Sequence, residues 1–376
     1  MATTIHDTFD ITIIGAGLVG LAVAEELAGQ YANVLVLEKN PNYGMETSSR
    51  HSGVIHAGIY YPTGFLKAGF CREGNRLLYK LCEERGIPQR KTGKLIVAAD
   101  DTESAELRKI RERAELNGVD DLSWVLQKQL KVMEPEVSAR EALFSPSTGI
   151  IDAHVLMTTF YLKAQAEGAI IVFRSEVTGI EQSNGTYSVQ VNGGEYSFRT
   201  RALINCAGLY ADRIASYAGI DIDKRDYRLK YCKGDYFSAS PSPKLSHLVY
   251  PVPPAEVVGL GVHATLDLAG MVRFGPDTEY VTALEYAVDE KKGDAFWESV
   301  RKYLPGVQRR QIQPDTSGIR PKLQGPDDPY RDFVITEESS AGCPGLINLI
   351  GIESPGLTSC VPIARYVSRL VGDYLN

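Results

Sequence analysis

The chain has 376 residues, 44% of them hydrophobic, and a formal net charge of −7, which supplies core material for two domains at roughly 100 to 200 residues each and argues against a disordered or fibrous chain. That balance and a pI near 5.5 disfavour nucleic acid or an anionic membrane surface as partner, since both call for a basic patch, and an anionic substrate would need locally placed cations. No run of about 18 uncharged apolar residues is present, so no membrane span is expected, and the opening MATTIHDTFD has no basic region, apolar core or cleavage site of a secretory signal.

In chain order, the first element is an apolar run, ITII, that turns at Gly15-Ala16-Gly17-Leu18-Val19-Gly20 into an amphipathic segment and returns as a second apolar run ending on Glu38 and Lys39. Gly15 allows the tight turn, Gly17 lets a pyrophosphate approach the backbone, and Gly20 lets the helix pack against the strand. The helix start, with about +0.5 charge, would face phosphates. Glu38 follows the last glycine at about the 20-residue separation where a carboxylate accepts from ribose hydroxyls, which argues against a 2′-phosphate but leaves FAD and NAD open.

A polar loop over 40–53 follows, then a helix near 64–86 stopped by Gly86-Ile87-Pro88, a strand over 92–99, and a charged helix over 103–117 with one apolar face. Asp152, before a helical pattern over 153–167, suits a helix cap or a catalytic acid. Alternating runs occupy 169–199; RALINCAG, 201–208, repeats the strand-to-glycine pattern and leads to a helix over 210–218. Segments broken by proline and glycine, including YCKGDYFSAS, HLVYPVPP, VVGLGVHAT and GMVRFGP, predict an antiparallel sheet across 227–285. GLINLIGIESPG and a long amphipathic helix over 357–375 close the chain.

Nucleotide-fold elements therefore flank a β-rich part. The expected fold is α/β (α+β overall): a discontinuous dinucleotide domain of 1–90, 145–225 and 316–376, with a substrate domain of 91–144 and 226–315. Cys71, Cys82, Cys206, Cys232, Cys343 and Cys360 lack CxxC spacing, which suits reduced thiols in a cytoplasmic protein and predicts neither a disulfide framework nor a metal site.

Between Thr47 and Tyr61 the sequence TSSRHSGVIHAGIYY concentrates hydroxyl, imidazole and guanidinium groups. Such groups are costly to bury without partners, and a cofactor with many hydrogen-bonding edges would satisfy them. A solvated polar loop is the alternative.

Together with IIGAGLVGL, TGKLIVA, YPVP, LGVHAT, SGIRPK and GIESPGLTS, this segment resembles the D-amino-acid oxidase superfamily of FAD enzymes, in its L-2-hydroxyglutarate dehydrogenase/oxidase branch, from about residue 10 to residue 365. The resemblance implies non-covalent, extended FAD, a glutathione-reductase-type FAD domain and a mixed-sheet substrate domain. It implies that Gly15 to Gly20 hold the pyrophosphate, Glu38 the ribose and Val177 the adenine edge. Thr47, Ser48, Ser49, Arg50, His51 and Ser52 would lie on the flavin side, Cys206, Ala207 and Gly208 along the dinucleotide, and Gly318 and Arg320 beside the cofactor. Gly351, Glu353, Ser354, Pro355, Gly356, Leu357 and Thr358 would close over the pyrimidine end, where the N–H groups of the last helix favour the charge of the reduced flavin.

The implied reaction is oxidation of an L-2-hydroxy acid, L-2-hydroxyglutarate first, to the 2-oxo acid by hydride transfer to flavin N5. His263 or His56 would take the hydroxyl proton, His263 being preferred. Arg320 would clamp a carboxylate through paired hydrogen bonds, or else form an exposed salt bridge; Arg273, Lys233 or Arg50 would supply a second cation, and Tyr60 is a further substrate contact. Oxygen, a quinone or an electron-transfer protein could reoxidise the flavin, a quinone bringing peripheral contact with the inner membrane. The rivals are an amino-acid oxidase or dehydrogenase on the same fold and a dinucleotide-binding module without turnover.

Overall fold

The computed structural model describes residues 8–253 and 261–375. The first part of VVGLGVHAT, residues 257–260, and the first seven residues lie outside the described ones. The chain forms two compact units, one comprising the chain up to Ser49, Ala153–Lys230 and Pro321 onward, the other Arg50–Asp152 and Tyr231–Arg320.

The first unit is built on an eight-stranded sheet. Thr8–Ile14 lies at its centre, parallel to Val34–Leu37 on one side and Tyr196–Asn205 on the other. Ile170–Val172 extends the sheet beyond Val34–Leu37, and Cys343–Ile350 runs parallel to Tyr196–Asn205. Every residue of Val34–Leu37 is buried, as expected where a parallel sheet is covered on both faces. The helix Leu18–Ala28 packs against Ala153–Ala166 and Gly356–Leu375. Val177–Ser183 and Thr186–Val191 form a hairpin added antiparallel to the edge of Tyr196–Asn205. A glutathione-reductase-type dinucleotide domain was the expectation here, and its periodic helices fall within a few residues of where the sequence puts them.

The second unit carries a mixed nine-stranded sheet. Its order runs Glu279–Val281, Lys230–Ala239, Val272–Phe274, Ala264–Leu266, Leu248–Pro251, Lys94–Ala98, Glu141–Ser145 and Ser123–Leu126, with Ile312–Lys322 also paired to Lys230–Ala239. Leu248–Pro251 and Lys94–Ala98 are parallel while their neighbours are antiparallel. The helix Asp101–Leu116 starts where expected because Asp100 accepts from the Glu103 N–H at 2.9 Å and Glu103 reaches back to the Ala99 N–H at 2.6 Å, a reciprocal cap. The short helices Gln127–Met133 and Gly293–Val300 carry too few turns to show a period in the sequence.

Residues 50–90 and 145–152 group with the second unit, where the sequence places them in the dinucleotide domain. The reason is pairing: Val54–Ile55 and Gln89–Arg90 both add to Gly149–Ile151 in a small separate sheet. No helix among the described residues is long and apolar enough to cross a membrane.

A polar network ties the first unit's strands. Asn205 Nδ2 donates to Asn348 Oδ1 at 2.8 Å and to the Ala211 carbonyl at 2.7 Å, while Asn348 Nδ2 and Tyr227 Oη donate to Glu338 Oε1 at 2.9 and 3.0 Å. All three of Asn205, Asn348 and Glu338 are fully buried, so each depends on the others for solvation. Asn348→Leu is expected to cost about 2–4 kcal/mol, because it strands the amide of Asn205 and part of the Glu338 carboxylate. Urea unfolding of the first unit's transition would measure the loss.

Candidate functional site

The glycine loop of the first unit is held by three close approaches. Gly15 has φ +103°, and a Cβ there would lie 2.5 Å from the Cys206 carbonyl oxygen; a Cβ on Gly20 would lie 2.0 Å from the Gly15 carbonyl oxygen. Gly17 meets only the Ser48 hydroxyl, at 3.0 Å from where its Cβ would be. The helix cap that Gly17 lacks comes from Ser48, whose Oγ accepts the Leu18 N–H at 2.9 Å.

Glu38 does more than wait for a ribose. Its Oε2 accepts the Ala16 N–H and its Oε1 the Asn40 N–H, both at 2.8 Å, so the carboxylate pins the loop to the second strand. A carboxylate has about four lone-pair sites, which leaves it able to accept ribose hydroxyls as well. Lys39 pairs with Glu46 at 2.9 Å and lies 3.8 Å from the Tyr210 ring centroid. Val19 continues the helix, Val177 is buried at the start of its hairpin, and Thr47–Ser49 form a short turn in which Ser49 bonds back to the Glu46 carbonyl.

Cys206, Ala207 and Gly208 follow the strand Tyr196–Asn205, where the Asn205 side chain accepts the Ala207 N–H at 3.2 Å. Burial pushes the Cys206 thiol up to about 12, so it lines the loop as a neutral group. At the other end of the unit, Gly351 has φ +73°, and Glu353 forms a buried ion pair with Lys322 at 3.1 Å. Ser354 and Pro355 lead into the helix beginning Gly356-Leu357-Thr358, with Gly356 and Thr358 buried. Side-chain-free backbone around Gly17, a helix start capped from outside, and a strand-end carboxylate with spare acceptor capacity fit a dinucleotide with a diphosphate bridge.

The polar segment Thr47–Tyr61 divides at Ser49/Arg50, and its second part belongs to the second unit. Arg50 lies 3.9 Å from the Tyr286 ring centroid. Gly318 is required beside it, since a Cβ there would fall 2.1 Å from the Arg50 carbonyl oxygen. His51 Nδ1 accepts the Gly53 N–H at 3.1 Å, and Ser52 bonds the buried Tyr236 phenol.

Arg320 is fixed from three sides. Its Nε donates to the Cys232 carbonyl at 3.2 Å, and its Nη2 to the carbonyls of Lys233 and Asp277 at 3.1 and 2.8 Å. It has no carboxylate partner among the described residues, so the salt-bridge alternative does not hold there. The second-cation candidates fare differently. Lys233 pairs with the buried Asp235 at 3.3 Å and donates to the Ala287 carbonyl, and Arg273 pairs with Asp315. Both positive charges are already matched.

The two histidines flank a group that pattern reading passed over. Lys94, 1% exposed, has its ammonium 4.6 Å from the Tyr60 ring centroid and 4.9 Å from that of Tyr250. His263 stacks on Tyr250 with ring centroids 3.6 Å apart and planes 10° from parallel. Burial, then the charge of Lys94, then His51 push His56 down from 6.5 to about 3, so it stays neutral. Burial lowers Lys94 itself from 10.5 to about 7. The available signal was a lysine opening KLIVA, a strand with every residue buried.

A family model for FAD dependent oxidoreductases matches residues 10–370. The chain belongs to this family. This FAD-dependent oxidoreductase is 37% identical to the mitochondrial L-2-hydroxyglutarate dehydrogenase of Arabidopsis thaliana, over 98% of this chain and 84% of that protein. It is 30% identical to L-2-hydroxyglutarate dehydrogenase of Escherichia coli strain K12, over 96% and 92% of the two chains. Among solved structures it resembles an FAD-bound, dithionite-reduced L-alpha-glycerophosphate oxidase from Mycoplasma pneumoniae, with TM-score 0.87 and 27% identity over 98% of this chain and 95% of that one. FAD is therefore the cofactor of this oxidoreductase, and the D-amino-acid oxidase resemblance holds over the chain's length.

Two outcomes follow. Ser48→Ala removes the side-chain cap that Ser48 places on the helix Leu18–Ala28 and should cost about 1 kcal/mol, with a lower melting temperature and faster FAD loss on dialysis. The folded protein refuses a proton at His56 that the unfolded chain accepts, so this residue withdraws stability as pH falls from 6.5 towards 3. The melting temperature of His56→Asn should fall less steeply than wild type across that window; equal slopes would mean that the imidazole protonates in place.

Proposed function

We propose that this FAD-dependent oxidoreductase oxidises L-2-hydroxyglutarate to the 2-oxo acid, with the first unit as the FAD-binding domain and the second as the substrate-binding domain. The observation that carries the acid-binding half is Arg320: three main-chain carbonyls aim it and no carboxylate among the described residues neutralises it. A guanidinium so fixed presents its remaining N–H groups to a substrate carboxylate at little entropic cost. The names of the relatives that span the chain support the choice of substrate.

FAD, when bound, supplies the acceptor for the hydride leaving C2. The protein's own part is to remove the hydroxyl proton. General bases work best with a pKa near the operating pH, and an imidazole held at about 3 gives up a proton too readily to keep one. His263 is therefore the base, and neutral His56 accepts a hydrogen bond that orients the hydroxyl. Tyr250, stacked on His263, holds the imidazole plane. The loop residues Gly15 to Gly20, Glu38, Ser48 and Gly351 to Thr358 hold the dinucleotide; Lys233 and Arg273, already ion-paired, have structural roles. The six free thiols suit a reducing compartment such as the cytoplasm.

The test is the visible spectrum of purified protein under anaerobic L-2-hydroxyglutarate. The flavin band should bleach, and peroxide on admitting air would separate an oxidase from a dehydrogenase that hands electrons to a quinone or protein. A yellow protein that stays yellow with this acid and bleaches with an amino acid would overturn the substrate. His263→Asn should slow the reductive step roughly 10²- to 10⁴-fold, whereas Arg320→Leu should raise KM roughly 10- to 100-fold.

A further inference from the structure

We propose that Lys94 is the cation that receives the distal carboxylate of the substrate, and so the residue that selects a 2-hydroxy dicarboxylate over a 2-hydroxy monocarboxylate. The inference rests on the reading that the second unit binds the substrate and deepens it. Lys94 is 1% exposed, and among the described residues no carboxylate neutralises it. An interior ammonium without a counter-ion is costly, and a methionine of similar length would fill the same space without that cost. The faces of Tyr60 and Tyr250 offset part of it, but a ring face is not an anion.

A second donor lies beside it. The Tyr60 hydroxyl is buried and has no hydrogen-bond partner among the described residues, and burial raises its pKa well above 10, so it keeps its proton. An ammonium and a phenol, both without acceptors among the described residues and grouped about one aromatic ring, form a receptor for a carboxylate, which accepts at both oxygens. The receptor is also connected to the clamp. Tyr250 carries Lys94 on its ring and feels Tyr236, which in turn lies in the field of Arg320. The two cations without carboxylates thus flank one tyrosine pair, as a molecule with carboxylates at both ends requires. Lys233 and Arg273 are excluded by their own ion pairs; Arg50, stacked on Tyr286, is the competitor to be tested.

The titratable groups facing Lys94 are His56, Cys71, Tyr60 and Tyr250, and His263 stacks on the Tyr250 ring. Burial keeps His56 at about 3 and raises the thiol and both phenols, so none of these four groups changes charge near neutral pH, where Lys94 does. Lys94 titrates at about 7 in the free protein, and a bound carboxylate favours its ammonium form. Dicarboxylate binding above pH 7 therefore takes up a proton and weakens as pH rises.

The experiment uses FAD-loaded enzyme and two unreactive probes, glutarate and pentanoate, followed by perturbation of the flavin spectrum and by calorimetry in buffers of different ionisation heat. Wild type should prefer glutarate by roughly 10- to 100-fold, with proton uptake above pH 7. Lys94→Met should bring that ratio near one and abolish the uptake while keeping the melting temperature. Retention of the preference in Lys94→Met, or its loss in Arg50→Met instead, overturns the proposal. Should Lys94→Met not fold, Tyr60→Phe decides: it should weaken glutarate roughly 2- to 12-fold and leave pentanoate unchanged, and equal effects on both probes would overturn the assignment. Wild type that fails to oxidise L-2-hydroxyglutarate yet shows the Lys94-dependent preference would sink the function and keep this site.

Discussion

The first unit depends on how closely the main chain at Gly15 passes the end of the neighbouring strand. A Cβ there would meet the Cys206 carbonyl oxygen at 2.5 Å, so the loop has no room for a side chain. Because it turns that sharply, Leu18–Ala28 begins directly over the strand ends and must run close to them, which excludes a side chain at Gly20 too. The helix then starts without a cap of its own, and Ser48 supplies one from a distant loop. Glu38 closes the arrangement by accepting the Ala16 N–H from the second strand. Each contact is needed because the preceding one leaves a backbone group exposed or a gap too narrow, and their joint result is a helix start approached by a loop that carries no side chain at Gly15, Gly17 or Gly20.

In the second unit the organising constraint is charge. Most of its inward cations are matched: Lys233 and Lys292 share the fully buried Asp235, and Lys292 also reaches Asp277 and Glu279. Burial of such clusters is tolerable only when each member finds its partner. Against that background Arg320 and Lys94 differ in kind. One is aimed by neutral carbonyls, the other bounded by aromatic faces, and neither is given an anion by the described residues. Sorting cations by whether the fold has already neutralised them separates framework from recognition better than counting them does.

That sorting also explains what the sequence could and could not convey. The glycine fingerprint, the capped helix Asp101–Leu116 and the last helix were legible because their signals are local: spacing, period and caps within a few residues. The FAD assignment was legible through motifs. The ion pairs of Lys233 and Arg273 were not legible, because one partner is two residues along the same strand and the other is 42 positions away. Lys94 was missed since a charged residue opening an apolar strand reads as its solvent-exposed start; only the pairing of Lys94 with both Ser145 and Leu248 places it inside. The division of Thr47–Tyr61 at Ser49 was hidden because strand pairing to Gly149–Ile151, and not composition, decides it.

Lys94 and His56 carry a cost that runs in the same direction. Each has a folded-state pKa below its unfolded value, so each binds fewer protons when folded, Lys94 between about 7 and 10.5 and His56 between about 3 and 6.5. Stability is withdrawn as pH falls through each window. Neighbouring positive charge deepens the shift at His56, so the two costs are coupled and would be lessened together by one negative charge placed between them. A ligand that binds the folded state alone stabilises it by mass action, and an anion near Lys94 would do so by offsetting the ammonium charge, while burial, the largest cause of the His56 shift, keeps that imidazole neutral. The fold thus holds in reserve an electrostatic penalty that its substrate is the right kind of molecule to relieve, and the energy released is available for discrimination between acids with one carboxylate and acids with two.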